Sequence, residues 1–244
     1  MFPSRRVILA GGGIFRDEAS LTFAGTNDYI DLGDVAIFEF DGSSPANHTI
    51  VAWIKATGSD SNNSIMSKYT STSGDEGWLF SLVAGKLNLQ LYGDDSVQNL
   101  STGADLRDDT WHHVAAVTTG TTSTEIYIDG VSEKTVTATW TPDVSAAGNV
   151  EIGAKATANP FNGKISEVVY YNTKLYDGEI PQLYNGGEAY NHAEGLRLAY
   201  LKGWWRMGDG LENSSGTTIY DMSKNSNNGT MTNFPAGVFT GDTP

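Results

Sequence analysis

TWHHVAAVTTGTTSTEIYIDGV (Thr110–Val131) contains two strands and the turn that joins them. Trp111, His113, Ala115 and Val117 fall on one side of the first run, and Ile126 and Ile128 share one side of the second. A period of two is the spacing of a pleated strand, whose successive side chains point to opposite faces. The polar run TTGTTST supplies the connection, and Asp129-Gly130 closes the second strand with turn residues.

The same grammar repeats on either side. GWLFSLV sets Trp78, Phe80 and Leu82 against Leu79, Ser81 and Val83, and KLNLQLYG sets Leu87, Leu89 and Leu91 against Asn88, Gln90 and Tyr92. Ala84-Gly85-Lys86 between them is short enough for a hairpin. NVEIGA (Asn149–Ala154) adds a strand with Val150 and Ile152 on one side. SLTFAGTNDYIDLG (Ser20–Gly33) and GKISEVVYYNTKLYDGEI (Gly163–Ile180) are each a short strand pattern closed by a turn. Strands at this spacing, with no long helical pattern, predict an all-β fold of two packed antiparallel sheets.

Composition agrees. A chain of 244 residues can bury one large core, and 28 glycines against 7 prolines suit many tight turns. The absence of cysteine excludes a disulfide framework and thiolate metal sites. A net charge of −14 argues against nucleic-acid partners and leaves acidic loops for divalent cations. No apolar run reaches the ~20 residues of a membrane helix, so no membrane insertion is expected. In MFPSRRVILAGGGIF the apolar stretch is broken by Gly11, Gly12 and Gly13 and followed by Arg16-Asp17-Glu18, which predicts an N-terminal arm and not a cleaved signal.

The three ordered segments, Ser20–Gly33, Thr110–Val131 and Gly163–Ile180, resemble the laminin-G-like branch of the concanavalin A-like lectin/glucanase superfamily, from roughly Ala19 to Gly187. The resemblance implies a jelly-roll sandwich with one or two short helices, one of them capped by Asp177, carrying Ile180, Leu183 and Tyr184 and ended by Gly186-Gly187. The expected organisation is an arm over 1–18, the sandwich over 19–187 and a C-terminal segment over 188–244. In bacterial relatives a stretch similar to that last segment stands ahead of the first strand. Here it follows the domain, so it either completes the sandwich in permuted order or forms an interaction element. About 40 residues are too few for a second core without disulfides or metal.

Candidate chemistry is sparse. The glucanase branch needs two carboxylates about 5–9.5 Å apart. Glu125 with Asp129 and Asp94 with Asp95 are the nearest approaches, but Asp129 is a turn residue and the adjacent aspartates diverge on a strand. No G-x-S-x-G elbow and no paired-histidine zinc motif occurs, so no catalytic residue and no enzymatic activity is expected. His112 and His113 read as packing and hydrogen-bonding residues, and His48 and His192 are isolated. Calcium takes oxygen ligands from acidic loops, and the resemblance points to Asp75 and Glu76, although Ser166 replaces an acidic residue common in relatives. Trp53 and Trp111 follow core positions. Trp78, Tyr92, Trp204 and Trp205 are the candidate binding aromatics, with adjacent Trp204 and Trp205 expected to alternate, one to the core and the other to solvent or a partner. Arg5, Arg6 and Arg16 concentrate positive charge on the arm and are candidate partner-docking residues.

The short arm followed by FAGTNDYIDLG also resembles laminin-G-like proteins of phage structural modules. The implied function is a non-enzymatic virion decoration or fibre protein on an exposed particle surface, forming homo-oligomers and meeting other virion proteins and host glycans. The alternative is a secreted bacterial carbohydrate-binding or adhesion module, calcium-dependent or not.

Overall fold

The structure is a computed structural model that describes residues 15–39, 47–58, 62–71, 75–93, 97–101, 103–137, 139, 148–208 and 216–244. In chain order the strands are β1 (Ser20–Ala24), β2 (Tyr29–Gly33), β3 (His48–Ala56), β4 (Asn62–Thr70), β5 (Glu76–Val83) and β6 (Lys86–Leu91). There follow β7 (Val97–Leu100), β8 (His112–Thr119), β9 (Ser123–Ile128), β10 (Val131–Thr137), β11 (Val150–Ile152) and β12 (Asn162–Tyr171). After helix α1 (Ile180–Tyr184) come β13 (Leu201–Trp205), β14 (Thr218–Ile219), β15 (Gly229–Thr232) and β16 (Phe239–Thr240).

Two antiparallel sheets face each other. The first runs β10–β9–β8–β3–β12–β1–β16, with β13 joining β12 beyond β1; the second runs β14–β15–β2–β11–β4–β5–β6–β7. Alternation sets what lies between them. Trp78 pairs with Leu91, Phe80 with Leu89 and Leu82 with Leu87, and all six point into the sandwich. From the opposite sheet Val114, Ala116, Ile126, Ile165 and Trp205 meet them. Each large buried side chain of this kind contributes about 1.5–3 kcal/mol of apolar burial. The polar alternates Ser81, Asn88 and Gln90 lie on the outer face of the second sheet.

The first sheet is apolar on both faces. Val51, Ala115, Val117, Tyr127, Val169 and Tyr171 point away from the sandwich, where Leu175, Ile180, Leu183, Leu201 and Trp204 cover them. These covering residues come largely from the segment after β12, which holds α1 and two short 3-10 turns, His192–Glu194 and Leu198–Tyr200. Pro181 sits in the first turn of α1, where its missing N–H costs little, and Asn185 ends the helix in the left-handed region at φ 52°. Asp177 does not cap this helix; its carboxylate accepts from the Tyr127 hydroxyl at 3.4 Å.

The C-terminal segment feeds both sheets. β13 extends β12, β15 pairs with β2, and β16 pairs with β1. Trp204 and Trp205 alternate as adjacent strand residues do, but neither faces solvent. Trp205 is 0% exposed between the sheets, and Trp204 is 3% exposed under the cap, its indole donating to the buried Glu167 carboxylate. Glu167 stands at φ 49° where the β12 register shifts against β3, and it also accepts from Arg206 Nε at 3.1 Å. No described helix is long and apolar enough to cross a membrane.

Candidate functional site

The outer face of the second sheet carries the constellation with binding chemistry. Register lays Asp31, Glu151, Ser67, Leu79 and Gln90 in one row across five strands. In the next row Tyr69 faces Gly77, and the Tyr92 N–H donates to the Gly77 carbonyl at 2.8 Å. Gly77 has φ 107°, and a Cβ there would lie 1.9 Å from the Lys68 carbonyl oxygen. A residue without a side chain is therefore required between the two tyrosines, and the rings meet over it with centroids 4.9 Å apart at 59°.

Lys155 closes over this pair. Its ammonium lies 3.9 Å from the Tyr69 ring centre and 5.1 Å from that of Tyr92, and it donates to the Tyr92 hydroxyl at 3.2 Å. The Tyr92 hydroxyl donates to Gln90 Oε1 at 3.1 Å, and the Tyr69 hydroxyl donates to the exposed Asp75 carboxylate. Burial lowers the Lys155 pKa and raises that of Tyr92; burial, then the Asp75 hydrogen bond, raises that of Tyr69. The turn presenting Lys155 is itself strained, with Ala156, Thr157 and Asn159 at φ 46°, 61° and 50°. Left-handed backbone at non-glycine residues costs roughly 1–2 kcal/mol each. The surroundings hold it: Ser67 Oγ donates to the Ala154 carbonyl at 2.8 Å and the Ser64 N–H to that of Asn159 at 3.0 Å.

Glu151 and Asp31 are cross-strand neighbours on the same face. Burial, and then the nearby Asp31 charge, raise the Glu151 pKa. Both carboxylates are nevertheless engaged internally. Glu151 accepts from the Thr157 N–H at 3.0 and 3.2 Å, and Asp31 accepts from the Gly33 N–H at 2.8 Å and from Asn149 Nδ2 at 3.0 and 3.1 Å.

The aromatics singled out by sequence separate. Trp78 is 0% exposed, its indole donating to the Phe38 carbonyl at 2.9 Å, and with Trp204 and Trp205 it belongs to the interior. Burial thus removes all three tryptophans from any sugar-stacking surface. Tyr92 lies on the candidate face but is largely buried under Lys155. Asp75 joins the same cluster through Tyr69. Asp75 accepts from Tyr69, whose ring carries the Lys155 ammonium, and no group of three or more His, Asp or Glu side chains suited to a metal occurs among the described residues. Arg16 pairs with Glu18 at 3.5 Å on the surface, while Arg5, Arg6, Asp94 and Asp95 lie outside the described residues. Tyr69, Gln90 and Lys155 were missed by the sequence reading. The glycine opposite Tyr69 is the one local signal for them.

The remaining candidates are structural. Asp129, at φ 50°, accepts from the His113 N–H at 2.9 Å and holds His112 Nδ1 at 2.9 Å, raising the His112 pKa. Glu125 accepts from Ser132 Oγ at 2.5 Å. Trp53 is buried as expected, but on the outer face of the first sheet, against His113 and Tyr184. His192 is buried against Trp204 with Tyr171 at 2.7 Å from its Nδ1.

A family model described as concanavalin A-like lectin/glucanases superfamily, of the laminin-G type, matches residues 24–181, and the chain belongs to that family. No curated protein sequence matches the chain. Among solved structures, a candidate carbohydrate-binding protein from Bacteroides ovatus is 21% identical with a TM-score of 0.64, covering 95% of this chain; the chain spans 64% of that protein's length. The CBM40 of the Ruminococcus gnavus IT-sialidase, bound to α2,3-sialyllactose, is 18% identical with a TM-score of 0.53, over 68% of this chain and 97% of its own. A heptameric SAP-like pentraxin from Limulus polyphemus is 18% identical with a TM-score of 0.55, over 76% and 87%. At these identities the likeness is one of fold.

Proposed function

We propose that this member of the concanavalin A-like lectin/glucanases superfamily is a non-enzymatic, lectin-like module that binds a saccharide on the outer face of its second sheet. The observation that carries the reading is the convergence of two tyrosine rings, a lysine ammonium, a carboxylate and an amide at the end of one sheet face, at Tyr69, Tyr92, Lys155, Asp75 and Gln90. A sugar presents C–H faces to aromatic rings and hydroxyls to such polar groups, and sites of this kind combine a few placed polar groups with apolar surface. The fold shared with a sialyllactose-bound domain supports the class of ligand. Asp31 and Glu151, the acid pair nearest the row, are held by internal donors, which favours binding over hydrolysis.

Calorimetric titration with a panel of oligosaccharides, with and without chelator, tests this. Binding that survives chelation and is lost in Tyr92→Ala supports the reading; no binding by the folded wild type to any saccharide would overturn it. The proposal extends to the setting. The module sits on an exposed virion surface, and its presence in fixed ratio in purified particles checks that placement. A secreted monomer without particle association would favour the bacterial adhesion alternative.

A further inference from the structure

Lys55 on β3 and Lys164 on β12 are register partners. Their neighbours Ile54 and Ile165 point into the core, so both lysines project from the outer face of the first sheet. Like charges directly opposite on paired strands destabilise the pair unless something neutralises them. One carboxylate does so here. Asp242 accepts from Lys55 Nζ at 3.0 Å, from Lys164 Nζ, and from the Trp111 indole Nε1 at 3.1 Å. Asp109 stands farther off, 3.8 Å from Lys55. The Lys164 hydrogen bond, joined by those of Lys55 and Trp111, holds the Asp242 carboxyl well below the usual carboxylate range.

The origin of the parts matters. Lys55, Trp111 and Lys164 all lie within the residues that match the family, whereas Asp242 comes from the tail outside it. The sandwich builds a three-donor anion cradle, and the tail fills it. We propose that Lys55, Lys164 and Trp111 form an anion site for the carboxylate or sulfate of an acidic sugar, with Asp242 as its intramolecular occupant. The anion site stands on its own geometry; the choice of a sugar as the bearer of the anion rests on the proposed function and on the half-buried indole beside the two ammonium groups.

Exchange of occupants does not require the tail to leave. The Asp242 carbonyl accepts from Ser20 Oγ at 2.7 Å and the Thr243 hydroxyl donates to the Asp17 carbonyl at 3.1 Å, so the backbone stays anchored while the side chain rotates away. A tethered carboxylate competes at an effective concentration of about millimolar or more, so wild type binds free anions weakly.

The test compares wild type with Asp242→Asn, following the Trp111 indole N–H by NMR during titration with glucuronate, sulfate and glucose at constant ionic strength. Asp242→Asn should bind glucuronate or sulfate at least tenfold more tightly than wild type and ignore glucose, and Lys164→Gln added to it should abolish the gain. Glucuronate without sulfate assigns the site to carboxylates, and the reverse to sulfate esters. Equal responses in wild type and Asp242→Asn, or a gain that survives Lys164→Gln, would overturn the proposal. If Asp242→Asn does not fold in chloride, refolding in glucuronate or sulfate decides: recovery supports the site and failure in both refutes it. A neutral oligosaccharide bound by wild type with no gain in Asp242→Asn sinks this proposal and leaves the lectin reading intact. The converse pattern does the opposite.

Discussion

The two sheets turn different outer faces to their surroundings. The first sets Val51, Ala115, Val117, Val169 and Tyr171 outward, and the segment after β12 seals them under α1 and its flanking turns. The second sets Asp31, Ser67, Ser81, Asn88, Gln90 and Glu151 outward, with one small hydrophobic cluster of Tyr69, Leu79 and Tyr92. Both faces belong to the same sandwich and share one central core. A sheet face sealed by apolar side chains is committed to stability, and one lined by polar groups, even where loops bury many of them, can hold those groups at fixed spacing for a ligand. The contrast is consistent with the proposed saccharide site on the second sheet, and it leaves the Lys55–Lys164–Trp111 cradle as the part of the first sheet's outer face proposed for a ligand.

The largest effect should come from breaching the cap. Leu183→Ala removes a buried side chain beneath α1 and should cost about 2–5 kcal/mol in urea denaturation. Leu79→Ala on the opposite face belongs to a three-residue cluster able to relax, and should cost about 1–2 kcal/mol. Equal costs would erase the proposed division between the faces.

Protonation probes the same contrast. Burial holds His113 down to about 4 and His192 to about 3, against an unfolded value of 6.5. A depressed histidine pKa means the unfolded chain binds the extra proton first. The stability due to burying these rings neutral is therefore full above 6.5 and drains as pH falls through the window to about 4. At about 1.4 kcal/mol per unit, the loss is on the order of 3 kcal/mol per histidine. Melting temperatures from pH 7 to pH 4 should fall steeply in wild type and less so in His113→Asn, at a lower starting stability. A slope unchanged in His113→Asn would show that the cap does not hold that ring neutral.

On the second sheet's outer face the effects should fall more on binding than on fold. Lys155→Ala removes one donor and two cation–π contacts. Losing a polar group that meets the sugar, worth about 1 kcal/mol, should weaken saccharide binding about fivefold. The stability cost should be about 1 kcal/mol, smaller than that of Leu183→Ala. The smallest change is expected from Glu151→Gln. The raised Glu151 pKa means that ionisation of the buried carboxyl detracts from stability as pH rises above 4.5, so the amide should stabilise the protein by about 1 kcal/mol or less near pH 7 and not at pH 4. Destabilisation at neutral pH would instead show that the Thr157 contact needs the charge.

Much of the sandwich was legible in the sequence because half-buried strands advertise themselves. The alternation in 77–92 assigned inward and outward residues that the structure bears out. In 110–131 it separated the two faces, but Ala115 and Val117 lie under the cap and His113 lies on the same outer face. Trp111, expected in the core, is half-buried beside Asp242. The cap was harder to read. TIVAWI and VVYY are continuous apolar runs, the mark of strands buried on both faces, and nothing local says what covers the second face. Alternation correctly separates Trp204 from Trp205, but the tryptophan expected to meet solvent or a partner meets a second apolar layer of its own chain. The candidate site was the least legible part. Tyr69, Gly77, Tyr92 and Lys155 meet only through pairing of β4, β5 and β6 and a turn more than sixty residues downstream of Tyr92.

The seating of β1 has a consequence for how the protein is made. β1 lies between β12 and β16, and the Ser20 hydroxyl bonds a carbonyl 222 residues later. A ribosome adding about 5–20 residues per second needs roughly ten to forty seconds to cover that distance. Throughout that interval β1 has an unpaired edge. Nascent chains should therefore engage cellular holding factors until β16 emerges, and a translational pause between β12 and β16 should lower the soluble yield more than one placed after β16.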